Sequence, residues 1–210
     1  MNRIYLSVLL LAAASAFAEK TVTPVVPKLV DNCYQIGTVA ELFGFAEIVN
    51  DENNAAHDNC ACGRLTADIL VNTQNPENSD GSEIISWTPI MNYCGTFDGN
   101  GKSITGLSFI DWYGGNIGFF GSTIKKFVSL EEEYHATIKD LNLIDAYFSG
   151  DTCVGTLIGH GEETDIINVH TDGSAHGRYA IGGFAGYLRT GTITHSFNEA
   201  GGDAKAAGGI

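Results

Sequence analysis

Apolar positions in the last third of the chain fall into two short blocks that recur together. Val154 to Gly159 reads VGTLIG and returns as Ile181 to Gly186, IGGFAG; from 154 to 181 the step is 27 residues. The second block, Ile166 to Thr171 (IINVHT), returns as Ile193 to Asn198 (ITHSFN), and from 166 to 193 the step is again 27. Short apolar segments parted by turns and repeating every 20 to 50 residues are the signature of a solenoid, in which each unit buries its apolar face only by stacking on the next. The pattern therefore predicts an all-β chain, a solenoid behind an N-terminal capping helix.

Two further copies lie upstream, the first of them shortened. Ile117 to Gly121 matches the first block and Ile138 to Leu143 the second, with an insertion placed at Lys125 to His135 that carries the Glu131, Glu132 and Glu133 run. Insertions in solenoids leave as loops on one side. Repeats are thus expected over 116–210. Within the second block the small or apolar positions fall at Ile138, Leu141 and Leu143, and at Ile166, Val169 and Thr171. A step of three and then two departs from strict alternation, so the backbone must bend near Asp140, Asn168 and His195. Asn and Asp tolerate the left-handed conformation and bond to neighbouring backbone or side chains, which makes these three positions a structural corner ladder. A catalytic role for Asp140 or His195 is the alternative.

Ahead of the repeats, Thr38-Val39-Ala40-Glu41 is a capping box, and Val39, Leu42, Phe43, Ala46 and Val49 follow at helical spacing. A helix over about 38–50 is predicted, covering the open first unit of the array. Residues 19–32, with Pro24 and Pro27, read as an extended leader. First rungs are expected over 65–109, with strands at Leu65 to Val71 and Ile84 to Ile90. Asp98-Gly99 and Asn100-Gly101 predict a tight reversal between Phe97 and Ile104. A calcium loop through Asp98 and Asn100 fails because Lys102 stands where a third oxygen ligand belongs. At the far end, Lys205 to Ile210 matches Tyr179 to Phe184 at an offset of 26, from 179 to 205, and then stops within a strand. A truncated array is expected, with further repeats or domains of the same polypeptide beyond it.

Composition narrows the partners. Met1-Asn2-Arg3, an apolar run from Ile4 to Ala14 and Ala16-Phe17-Ala18 form a signal peptide over 1–18, too short to span a membrane. The remainder is strongly acidic, within a formal net charge of −14 for the whole chain. Such a surface repels phosphate backbones, so nucleic acid is not expected as a partner, and no apolar run is long enough to predict membrane insertion. Five cysteines in an exported chain read first as disulfides. Cys33 and Cys62 flank the helix and form the expected staple; His57, Cys60 and Cys62 (H-x-x-C-x-C) lack a fourth ligand at metal-site spacing, so no metal is expected.

The repeat blocks, with the upstream helix, Trp87 to Ile90 and the Gly95 to Phe109 segment, resemble the GLUG repeat of bacterial secreted and surface proteins. That resemblance implies a right-handed parallel β-helix, similar to the pectin lyase-like fold, with GLUG-like repeats over 116–210 in an adhesin-like protein, and it supplies no catalytic motif. The function expected is a secreted or cell-surface scaffold with no cofactor, whose ligand is a polysaccharide or a surface protein. Trp112, Tyr147, Phe148, Tyr179 and Tyr187 are the candidates for stacking on sugar rings. A polysaccharide-cleaving enzyme on the same fold is the alternative, with acid and base drawn from Asp140, Asp145, Asp165 and Asp172.

Overall fold

A computed structural model describes residues 20–74, 76, 83–129 and 132–206. The predicted signal peptide and the last residues of the chain lie outside them. The described chain is mostly β, with one helix. Strands β1 (Lys28–Val30) and β2 (Cys33–Ile36) precede α1 (Val39–Asn50), and β3 (Cys62–Leu65), β4 (Ile69–Leu70), β5 (Thr96–Thr105) and β6 (Ser108–Ile110) follow it. Next come β7 (Gly115–Ile117), β8 (Phe120–Thr123), β9 (Lys126–Phe127), β10 (Glu133–Tyr134) and the long β11 (Thr137–Ser149). The repeats supply β12 (Thr152–Gly155), β13 (Ile158–Gly161), β14 (Thr164–Gly182), β15 (Ala185–Leu188), β16 (Gly191–Thr194), β17 (Phe197–Asn198) and β18 (Gly201–Ala206).

Thirteen of these strands share one sheet, in which β2, β3, β5, β11 and β14 are successive parallel neighbours. β16, β17 and β18 pair along the other side of β14. A second parallel sheet runs β8, β13, β15. The register puts equivalent apolar residues opposite one another: Phe97, Ile138, Ile166 and Ile193 are consecutive partners. So are Ile117, Val154 and Ile181, and, in the second sheet, Phe120, Ile158 and Ala185. A one-residue slip would turn each of these side chains to the opposite face, so burial itself locks the pairing.

The bends fall where a left-handed residue breaks the alternation. Asp140, Asn168 and His195 have φ of 51°, 53° and 52°, and Asn100 on β5 joins them at 51°. Ile138, Leu141 and Leu143 are all fully buried around that bend. Asn100 also corrects the reversal expected between Phe97 and Ile104. β5 continues through it, pairing Phe97 with Ile138 and Ile104 with Leu143, so the Asp-Gly-Asn-Gly run makes a corner instead of a hairpin. A second set of left-handed residues, Asn116, Cys153 and Ala180, sits before the buried Ile117, Val154 and Ile181.

Helix α1 begins as its capping box dictates. The Thr38 hydroxyl accepts from the Glu41 amide at 3.2 Å, while the Glu41 carboxylate accepts from the Gly37 amide at 2.9 Å and from the Thr38 hydroxyl at 3.1 Å. Its buried face lies over the first strands. Phe45 rests on Gly63 of β3, where a Cβ would come within 2.8 Å of the ring. Tyr34, Tyr93 and Phe97 surround that ring with centroids 5.8 to 6.3 Å away. Phe119 and Phe120 extend the cluster from Phe97, and each fully buried large side chain contributes about 2 to 3 kcal/mol of apolar transfer.

Four other expectations change. The leader is partly ordered into β1, which reverses at Asp31 and Asn32, both at positive φ, and returns antiparallel on β2. Leu65 to Val71 is not one strand, because a bend at 66–67 separates β3 from β4. Ile84 to Ile90 forms no strand: the Asn72 side-chain amide takes both the Ile85 amide and carbonyl, and Trp87 donates to the Ser108 carbonyl at 2.7 Å. Those backbone groups are satisfied one by one instead of by a ladder. Finally, Tyr179 pairs with Ala206, which keeps the 27-residue step through the end of β18 in place of the offset of 26. The insertion at Lys125 to His135 carries the antiparallel pair β9 and β10. Lys125 anchors it, with its ammonium 2.7 Å from the Glu133 carboxylate and 3.0 Å from that of Glu163.

Candidate functional site

The residues singled out as sugar-stacking candidates separate by burial. Phe148 is 0% and Tyr147 6% exposed, so both belong to the interior and leave the candidate set. Tyr187 is exposed but lies flat on His160, its register partner, with centroids 4.9 Å apart and planes 8° apart. Trp112 and Tyr179 remain, at 67% and 53% exposure, and the structure adds Tyr113 at 92%. Tyr113 escaped sequence reading because an aromatic beside Gly114 and Gly115 carries no periodic signal.

Trp112 and Tyr113 occupy a turn that is pinned at both ends. The Asp111 carboxylate accepts from the Tyr113 amide at 3.2 Å, and the Gly114 amide donates to the Asp111 carbonyl at 3.0 Å. The neighbouring strands hold it in turn, since the Asp111 amide donates to the Ser149 carbonyl at 3.0 Å and the Asp151 amide to the Gly114 carbonyl at 2.7 Å. Immediately after the turn, Gly115, Thr152 and Tyr179 are successive register partners. The Arg178 and Tyr179 amides both donate to the Asp151 carbonyl. Arg178 pairs through Nε with the Asp151 carboxylate, which holds that carboxyl below its ordinary value; the guanidinium also lies within electrostatic reach of Tyr113 and Tyr179. One corner therefore carries an Asp151 and Arg178 pair with the exposed Tyr113 and Tyr179 near it, and Trp112 beside Tyr113 in the same turn.

The corner-ladder residues lie together at the other bend. The Asn168 side-chain amide donates to the Asp140 carboxylate at 2.7 Å, and His195 follows with the same backbone conformation. Asp165 sits apart from them, accepting from the Thr192 hydroxyl at 2.7 Å with His135 at 3.2 Å; Thr192 first, then His135, holds its carboxyl down. Asp68 is likewise lowered, chiefly by the Ser103 amide and hydroxyl.

The cysteines form Cys33–Cys62 and Cys60–Cys94, leaving Cys153 as a free thiol. Cys33 and Cys62 are register partners on β2 and β3, so the bond ties the strand before α1 directly to the strand after it. Oxidation removes both thiolates of the H-x-x-C-x-C motif, and His57 Nδ1 is 3.1 Å from the Ile48 carbonyl. Among the described residues, no group of three or more His, Cys, Asp or Glu side chains is placed to hold a metal ion.

Comparison with known proteins gives one likeness to report. Over 165 residues, 74% of this chain, the sequence is 28% identical to halomucin from Haloquadratum walsbyi. That stretch spans about 2% of the length of halomucin. No family model matches the chain, and no solved structure matches it.

Proposed function

We propose that the chain is a secreted or cell-surface β-solenoid of the GLUG-repeat kind, a right-handed parallel β-helix that serves as a structural and adhesive scaffold. The observation that carries this reading is the column Phe97, Ile138, Ile166 and Ile193, built from strand copies in parallel register. Polar side chains obey the same step. Asp151 with Arg178, Glu162 with Arg189, Asp165 with Thr192 and Thr171 with Asn198 are all pairs 27 residues apart. A chain whose contacts run mainly between neighbouring copies is built to extend and display a surface. Export is supported by the N-terminal signal pattern and by two disulfides, which persist in oxidising compartments. The likeness to a protein named as a mucin points the same way.

The competing reading is a polysaccharide-cleaving enzyme, which needs one carboxyl kept protonated to act as the acid. The clear carboxyl shifts, at Asp68, Asp151 and Asp165, all run downward, toward the ionised form. Expression of the full chain in a secreting host, with cell fractionation and a reducing-sugar assay, tests the scaffold. Protein in the medium or on the cell surface that releases no sugar is expected. Release of sugar that Asp165→Asn abolishes would replace the scaffold with a hydrolase.

A further inference from the structure

We infer that the corner formed by Trp112, Tyr113, Asp151, Arg178 and Tyr179 is a binding site for a neutral, extended polysaccharide. The inference deepens the scaffold reading and rests on it.

Among the described residues, the exposed aromatic side chains elsewhere are engaged. Tyr187 stacks on His160, Phe197 stacks on His170 with centroids 4.1 Å apart, Phe127 lies under the Lys125 ammonium, and the Tyr134 hydroxyl donates to Glu132 at 2.9 Å. Trp112 differs: among the described residues its ring packs on no other ring and its indole N–H has no acceptor. Leaving that much apolar surface in water is costly, and the turn that displays it is fixed by four backbone and side-chain hydrogen bonds. A rigid display loses little conformational entropy when a ligand settles on it.

The chemistry of the corner selects the ligand. Flat, exposed Trp and Tyr rings match the C–H faces of pyranose rings whose hydroxyls are equatorial, a pairing in which the aromatic face carries the partial negative charge. Around them stand an unpartnered indole donor, two phenol hydroxyls, the outer guanidinium nitrogens of Arg178 and the Asp111 and Asp151 carboxylates. These are donors and acceptors for sugar hydroxyls placed beside the stacked ring. The Asp151 carboxylate already neutralises Arg178, and the chain carries a formal net charge of −14, so a polyanion would be repelled. The aromatics are also spread across strands. Gly115, which follows the Trp112 turn, and Tyr179 are two register steps apart, about 9 to 10 Å at the usual strand spacing. A spread of that size suits consecutive sugar units of an extended chain better than a single monosaccharide.

Affinity gel electrophoresis of the purified full chain tests the site, using hydroxyethyl cellulose, xyloglucan and galactomannan as neutral probes and polygalacturonate as the anionic one. Wild-type protein is expected to be retarded by at least one neutral polysaccharide. Trp112→Ala or Tyr179→Ala should weaken that retardation tenfold or more with the melting temperature unchanged, while Tyr187→Ala should bind as wild type. Absence of retardation by all three neutral probes, stronger retardation by polygalacturonate, or equal effects of the three substitutions would overturn the site. Failure here, with the protein at the cell surface and no sugar released, leaves the scaffold standing; sugar release removes the scaffold itself.

Discussion

The Asn168 side-chain amide donates to the Asp140 carboxylate at 2.7 Å, and both residues hold left-handed backbone, at φ of 53° and 51°. The bond joins corresponding corners of adjacent strand copies. It sits on the surface, yet it marks where each copy must turn and how it is aligned. Asn168→Ala removes the bond and also places a less tolerant residue at positive φ. A loss of about 1 to 2 kcal/mol is expected in urea unfolding, and Asn168→Gly, which keeps the backbone freedom, should lose less.

At the second corner the chain has chosen less well. Ala180 has φ of 54°, whereas the related Asn116 uses a residue suited to that conformation. Ala180→Asn should therefore raise stability by up to about 1 kcal/mol. Thermal unfolding monitored by circular dichroism reads this directly as a rise in Tm.

Phe45 is the contact through which helix α1 holds the first strands. Phe45→Ala removes a fully buried ring against Gly63, Tyr93 and Phe97, with an expected loss of about 3 to 5 kcal/mol. Hydrogen exchange should show the loss concentrated at α1, β2 and β3, and small changes at β14.

Cys33–Cys62 closes a loop of sequence separation 29, and Cys60–Cys94 one of 34. In the chain-entropy account each contributes about 3 to 4 kcal/mol. Reduction should lower Tm markedly, whereas Cys153→Ser, which breaks no bond, should leave it nearly unchanged.

Asp165 gives a pH dependence of defined sign. Thr192 and His135 favour its charged form, so its folded pKa lies below the ordinary 3.8. Its contribution is present above about 3.8, where the unfolded carboxyl is already ionised, and is lost as pH falls through the lower folded value. Acid titration of Asp165→Asn beside wild type checks this: their stability gap should be full near neutral pH and narrow below about 4.

The repeat step, the capping box and the Asp140, Asn168 and His195 bends were legible because each depends on local spacing. Positions three and then two apart can be buried together only if the backbone turns between them. The ends of strands were less legible. Ile84 to Ile90 has β composition, but the distant Asn72 amide takes its backbone groups, and no window of sequence contains both. Tyr147 and Phe148 failed as surface candidates for a similar reason: which face of β11 points inward after its bends is set by pairing with β14 and β6. Cys60–Cys94 was unreadable from spacing, since the chain between them follows the course of β3, β4 and the 84–93 segment.

Disulfide trapping tests the stacking of copies most directly. Lys139 and Ile167 are register partners, as are Ile167 and Thr194, while Lys139 and Thr194 lie two steps apart. The native Cys33–Cys62 bond joins partners of the same kind, with Cα atoms 4.6 Å apart. In a Cys153→Ser background, Lys139→Cys with Ile167→Cys, and Ile167→Cys with Thr194→Cys, should each yield a new disulfide on mild oxidation. Lys139→Cys with Thr194→Cys should yield none, because about 9 to 10 Å exceeds disulfide reach. Efficient bonding of that last pair, or failure of both adjacent pairs, would contradict the parallel register, in which these copies follow at steps of 28 and then 27 residues.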